Sequence, residues 1–165
     1  MSVLEILKYP NPILRNRGDP VETIDEKIRK LVQNMTETMY AAPGIGLAAP
    51  QVGESLRVIT VDLARNGEGL ITMVNPNIIS SEGEYVDEEG CLSVPDFKDS
   101  IRRKQKIVVA GLDIDGKNIQ LTAEGLLAAA FQHEIDHLNG ILIIDKVSRL
   151  KKDAFKKKLK KKKEI

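Results

Sequence analysis

Between Ile24 and Ala42, the apolar residues Ile24, Ile28, Leu31, Val32, Met35 and Met39 return at three- and four-residue intervals, which predicts an amphipathic helix with one buried face. Thr23 with Glu26 three residues later suits a capping box, and Pro43-Gly44 stops the helix. The next segment, GIGLAAPQVG, is too rich in Gly and Pro for a helix and too apolar for an exposed loop, so it is expected to be buried or to line a site. RVITVDL and GLITMVNP then read as strands flanking a turn at Asn66-Gly67, and KIVVAGLDIDGKNIQLTA reads as a hairpin turning near Asp115-Gly116. From about Ala123 to Asn139 a second helix is expected, capped by Thr122 and closed by Asn139-Gly140. Leu126, Leu127, Phe131, Ile135, Leu138 and three alanines leave it apolar on nearly every side, as a central helix enclosed by sheet would be. Strands around one buried helix, without βαβ alternation, predict an α+β domain with mixed or antiparallel β-sheets around that helix.

Composition changes the picture mainly at the C-terminal end. The 165 residues are 42% hydrophobic and 30% charged, ordinary for a folded domain, and with 4% aromatics and no Trp the core is expected to be aliphatic. The net charge of +1 conceals an asymmetry. From Lys151 onward nine lysines face only Asp153 and Glu164, a net of +7, which leaves 16 basic and 22 acidic groups in residues 1–150, a net of −6. The expected organisation is a single catalytic domain, 1–150, and a lysine-rich helical tail, 151–165. In that basic C-terminal helix Ser148 serves as cap, and Leu150, Ala154, Phe155 and Leu159 fall near one stripe. The single cysteine, Cys91, excludes an internal disulfide framework and points to a reducing compartment. No apolar run approaches the roughly 20 residues of a membrane span, and the N-terminus has no signal-like pattern, so a cytoplasmic location is expected; the chain is also expected to be a monomer.

Both histidines of the chain fall within QHEIDH, where His133 and His137 stand at i and i+4 of the second helix with Glu134 directly after the first. That spacing turns both rings the same way, one turn apart, so that both reach one metal ion, with Glu134 beside them as general base in the H-E-x-x-H arrangement. A catalytic site with an open position needs a third protein ligand. The longer HExxHxxGxxH pattern is followed to Gly140 but has Ile143 at its last position, and Glu164 is the only glutamate downstream of His137. Upstream carboxylates and Cys91, in DEEGCLSVP, remain, and of these a thiolate is the strong ligand for zinc or ferrous iron.

Three segments in order, GIGLAAPQ at 44–51, EGCLS at 89–93 and QHEIDH at 132–137, resemble the signature motifs of the peptide deformylase family, and the likeness extends over nearly all of the chain to about Leu150. The resemblance implies removal of the formyl group from the N-terminal formyl-methionine of nascent polypeptides, with formate and a free amine as products. It implies metal ligation by Cys91, His133 and His137, a general base at Glu134, and oxyanion donors at the Gln51 side chain and the Leu92 backbone N–H. Gly44, Ile45 and Gly46, with Gly90, resemble the segments along which substrate lies, and Ile45, Leu126, Ala129, Ala130 and His133 resemble the wall of a methionine pocket. Ala129 and Ala130 are smaller than the residues common there, and Asp87 stands where an aliphatic residue is frequent; both departures bear on the pocket's size and polarity. The family's metal is Fe2+ in the cell, with Zn2+, Ni2+ or Co2+ accepted, and its members are thought to dock on the ribosome through a basic C-terminal helix. Two other readings stand beside this one: another HExxH metallopeptidase, and a non-catalytic, metal-stabilised ribosome- or RNA-binding module.

Overall fold

The computed structural model describes residues 2–163. Five strands form one antiparallel sheet in the order β1-β2-β3-β6-β7: β1 is Gly46–Ala48, β2 Val58–Val61, β3 Ile71–Glu82, β6 Lys106–Leu112 and β7 Asn118–Glu124. Between β3 and β6 the chain leaves this sheet to make a separate antiparallel pair, β4 (Tyr85–Cys91) and β5 (Val94–Arg103). Among the described residues three α-helices complete the fold: α1 (Glu26–Ala41), α2 (Gly125–Leu138) and α3 (Arg149–Lys163).

β2 is buried at all four positions because each face of the sheet is covered by a different helix. Val58 and Val74 pack with Ile28, Val32, Met35 and Met39 of α1. Ile59, Val61 and Met73 point to the other face, against Ala128, Phe131, Ile135 and Leu138 of α2. The period-2 alternation of strand residues thus feeds two cores. A third core joins Leu14, Phe97, Ile101, Leu142, Ile144 and Phe155 under the β4–β5 hairpin.

The expected α+β arrangement, with sheets around a central buried helix carrying the H-E-x-x-H motif, is corrected. The protein has a mixed α/β fold in which the five-stranded sheet is the central layer, both sheets are wholly antiparallel, and the metal-ligating cluster is Cys91, His133 and His137 rather than a motif borne by one enclosed helix. The all-round apolarity of α2 has a different cause: one face meets the sheet, while Leu126, Ala129 and Ala130 line an open cleft where Leu126 is 46% exposed. The helix bounds also shift. Asp25, not Thr23, caps α1 by accepting from Ile28 N at 3.1 Å. Thr122 and Ala123 belong to β7, and α2 begins at Gly125, which turns the chain at φ +59°, a conformation that favours glycine. The core is less purely aliphatic than expected, since Met35, Met39, Met73 and Phe131 are among its fully buried side chains.

In α3, Ser148 Oγ accepts from Lys151 N at 3.2 Å. Phe155 is buried, its ring 5.0 Å from Phe97 in an edge-on contact, and Leu159 is half-buried in the same core. Leu150, at 81% exposure, lies outside the buried stripe. Lys151–Asp99 at 3.0 Å, Lys152–Asp145 at 2.8 Å and Lys162–Asp96 at 2.7 Å tie α3 to the body. Among the described residues no helix is long and apolar enough to cross a membrane.

Candidate metal centre and adjoining cleft

His133 and His137 project from α2 with ring centroids 5.1 Å apart. Cys91 reaches them from the end of β4, immediately before the two-residue Leu92-Ser93 turn, where the register slips from Gly90↔Lys98 to Cys91↔Val94. This slip carries the thiol to the tip of the hairpin, 3.3 Å from His137 Nε2. One donor atom from each of Cys91, His133 and His137 lies within 4.8 Å of the others, a spacing and donor chemistry that fit one divalent metal ion. A buried atom beside them, Glu134 Oε1, has no hydrogen-bond partner, as a group facing an ion or its solvent would be left. No fourth His or Cys joins the cluster among the described residues, so a coordination position is left open.

Behind the donors runs a buried ionic chain. Glu89 Oε1 is 2.9 Å from His133 Nδ1, which leaves Nε2 to face the cluster. Arg103, with only 3% of its side chain exposed, donates to both Glu89 oxygens at 2.8 and 2.9 Å and to Asp136 Oδ2 at 2.6 Å. Burial opposes ionisation of Glu89, yet the hydrogen bonds from Arg103 and His133 outweigh it and hold the carboxyl at about 2. Burial likewise disfavours a charged His133, but Glu134, Cys91 and Glu89 together raise its pKa, whereas burial, then His133 and Arg103, push His137 down. The two rings thus differ sharply in electrostatic setting. For Glu134, burial first, with Glu89 and Asp136 adding and His133 and Arg103 opposing, raises the carboxyl to about 7, near where a general base is most useful.

Glu134 faces β1 so closely that a Cβ at Gly46 would collide with its carboxylate, so any larger residue there would force Glu134 to shift. Gln51 is buried in the 3-10 turn after β1. Its Oε1 accepts from Ala48 N at 2.9 Å, which directs Nε2 to Ser93 Oγ at 3.0 Å and toward Cys91 Sγ at 3.8 Å. Gly46, Gln51, Glu89, Cys91, His133 and Glu134 open on one cleft of about 830 Å³. Of the residues singled out from sequence, Gly44, Ile45, Gly46, Gln51, Gly90, Cys91, Leu92, Leu126, Ala129, Ala130, His133 and Glu134 line it, and His137 lies buried behind. Asp87 does not line it and instead accepts from Tyr85 OH at 3.1 Å. Sequence reasoning missed Glu89, Arg103, Asp136 and Ser93, although Glu89 and Ser93 are the first and last residues of the EGCLS signature. It also missed Arg65 on the rim.

The profile of the family described as polypeptide deformylase matches residues 3–153. A peptide deformylase of Thermodesulfovibrio yellowstonii is 52% identical over 165 residues, covering 99% of this chain and 100% of that protein. One from Syntrophobacter fumaroxidans is 54% identical over 164 residues, covering 98% and 96%. Among solved structures, a peptide deformylase from Legionella pneumophila superposes with a TM-score of 0.93 at 48% identity, covering 98% of this chain and 96% of that one. The enzyme from Ehrlichia chaffeensis in complex with actinonin gives 0.91 at 41% identity, covering 98% of each.

Proposed function

The chain belongs to the polypeptide deformylase family, and on that premise we propose how its site removes the formyl group from N-formylmethionyl peptides. The observation that carries the assignment is the Cys91–His133–His137 cluster with buried, unpartnered Glu134 beside it at the floor of the cleft. Cys91, His133 and His137 would hold the single divalent ion. Bound there, the ion supplies the Lewis acidity that makes a water nucleophilic near neutral pH. Glu134 takes the proton from the attacking water and delivers it to the departing amine, so that formate and a free N-terminal methionine result. The Gln51 amide and the Leu92 backbone N–H donate to the formyl oxygen as it gains negative charge. The Ser93 and Ala48 contacts that fix the Gln51 amide support that role.

The substrate backbone lies along Gly44, Ile45 and Gly46 as an added strand, with Gly90 on the opposite wall; β1 is an edge strand of the sheet, which supports this placement. The methionine side chain enters among Ile45, Leu126, Ala129 and Ala130. A thiolate with two imidazoles suits Fe2+ as the resident ion, and Zn2+, Ni2+ or Co2+ in purified protein. The test is formate release from formyl-Met-Ala-Ser by anaerobically prepared, iron-loaded protein, with and without chelator. Formate that disappears with chelator is expected, and no formate under iron-loaded conditions would remove the assignment.

Residues 1–150 are the catalytic unit of a cytoplasmic monomer, and 151–165 are an appended element that docks on the ribosome. Two features support polyanion docking over membrane attachment: the exposed lysines include Lys156, Lys157, Lys160 and Lys161, while Phe155 and Leu159 face the body. Changing those four lysines to Glu is expected to keep peptide activity and abolish low-salt co-sedimentation with ribosomes. Unchanged co-sedimentation would contradict docking.

A further inference from the structure

Among the described residues, three non-glycine residues hold left-handed backbone conformations, and two of them, Arg65 (φ +56°) and Asp96 (φ +65°), line the cleft. Such conformations are uncommon outside glycine, and they cluster at functional sites when the surroundings hold them in place. At Arg65 the anchor is Asp62, which is fully buried beside β1, its N–H donating to Ile45 O at 2.8 Å. The Asp62 carboxylate accepts from Tyr40 OH at 2.5 Å, Gly67 N at 2.9 Å and Arg65 N at 3.1 Å. The loop after β2 is thus fastened to the wall that carries Ile45. Its cation is presented on the cleft rim although Gly67 and Gly69, which adopt such backbones without strain, lie within four residues.

The charges around the cleft indicate what Arg65 meets. Glu89 is neutralised by Arg103 and His133, and Asp96 by Lys162. Arg65 and Lys98, in contrast, have no salt-bridge partner among the described residues; the other acidic side chains on the lining are the exposed Glu88 and the buried Glu134. The cleft of an otherwise acidic body therefore carries two exposed cations, Arg65 and Lys98, that no carboxylate of the described residues pairs with.

We propose that Arg65 is a specificity-determining residue that engages carboxylates in the peptide following the formyl-methionine, so that nascent chains with acidic second or third residues are favoured. The proposal rests on the deformylase reading. Exposed ion pairs of this kind shift affinity by up to about fivefold at low salt.

The test compares amidated formyl-Met peptides carrying Glu or Lys at the second and third positions, and reads the ratio of their kcat/KM within each variant, so that any general change in rate cancels. The wild type is expected to favour the Glu peptide by about three- to fivefold through KM, Arg65→Lys to retain most of this, and Arg65→Glu to reverse it. Arg65→Gly, which relieves the left-handed backbone, is expected to lose the preference while keeping thermal stability, and 0.5 M salt to flatten it in the wild type. Equal ratios in wild type and Arg65→Glu would overturn the role of Arg65. Absence of formate from formyl-Met-Ala-Ser would overturn the deformylase reading instead, and calorimetric affinities for the same Glu and Lys peptides would then still judge Arg65.

Discussion

Replacing Arg103 by Leu removes the guanidinium that joins Glu89, which supports His133, to Asp136 of α2. The guanidinium is 3% exposed, and its partners Glu89 and Asp136 are 13% and 18% exposed, so the substitution strands two nearly buried carboxylates. Breaking a buried pair from one side costs about 3–5 kcal/mol. Lys146, 3.6 Å from Asp136, still balances one of the two, which places the expected loss near the lower end, about 3 kcal/mol. For a domain of this size that corresponds to a fall in Tm of about 6–12 °C. A second effect follows from the 2.9 Å contact between Glu89 and His133 Nδ1: with Glu89 no longer fixed, His133 loses its orientation, and metal affinity is expected to drop about 10- to 100-fold. Thermal unfolding of chelator-treated protein reads the first effect, and competition with a chelator of known affinity reads the second. A Tm within about 2 °C of wild type together with unchanged metal affinity would refute the reasoning, because it would mean that Glu89 and Asp136 are adequately solvated without Arg103.

Phe155→Ala is expected to destabilise the protein by about 3 kcal/mol in denaturant unfolding, since the ring is buried against Phe97 on the strand that lines the cleft; a loss below about 1 kcal/mol would show α3 to be loosely held. Burial opposes ionisation of Asp145, but hydrogen bonds from Arg15, Lys152 and the Leu142 N–H lower its carboxyl to about 2. The resulting stability is full above about pH 4 and lost as pH falls through about 2, so Asp145→Asn should cost about 1 kcal/mol at pH 7, discounted for the 38% exposed Arg15, and nothing below pH 2. Equal unfolding midpoints at pH 7 would contradict this. In metal-free protein Glu134 is expected to titrate near 7, and the base form is lost as pH falls through that value; NMR of the carboxyl carbon checks it, and a midpoint near 4.5 would show that burial does not control this group.

How much of this was legible in the sequence depends on the range of the interaction involved. α1 and the β6–β7 hairpin follow from local periodicity and the Asp115-Gly116 turn, and both elements were readable within a few residues of their observed bounds. β4 and β5 were not, because DEEG and VPDFKDS alternate poorly and largely face solvent in a two-stranded sheet. His133 and His137 declare themselves at i and i+4, and Cys91 emerged by elimination once no third histidine existed. The Glu89–Arg103–Asp136 chain left no such trace, since its members are 14 and 33 residues apart and meet only when the hairpin folds against α2. α2 misled the reading because an apolar helix that lines a cleft has the same pattern as one enclosed by sheet.

The central claim is a division of labour, in which Cys91, His133 and His137 hold the ion and Glu134 moves the proton. It is tested most directly by measuring metal content and formate release from formyl-Met-Ala-Ser on the same anaerobic preparation of Glu134→Gln. The account predicts one divalent ion per chain, as in wild type, with turnover reduced roughly 100- to 10,000-fold. Turnover above about half of wild type, or loss of the metal, would contradict it.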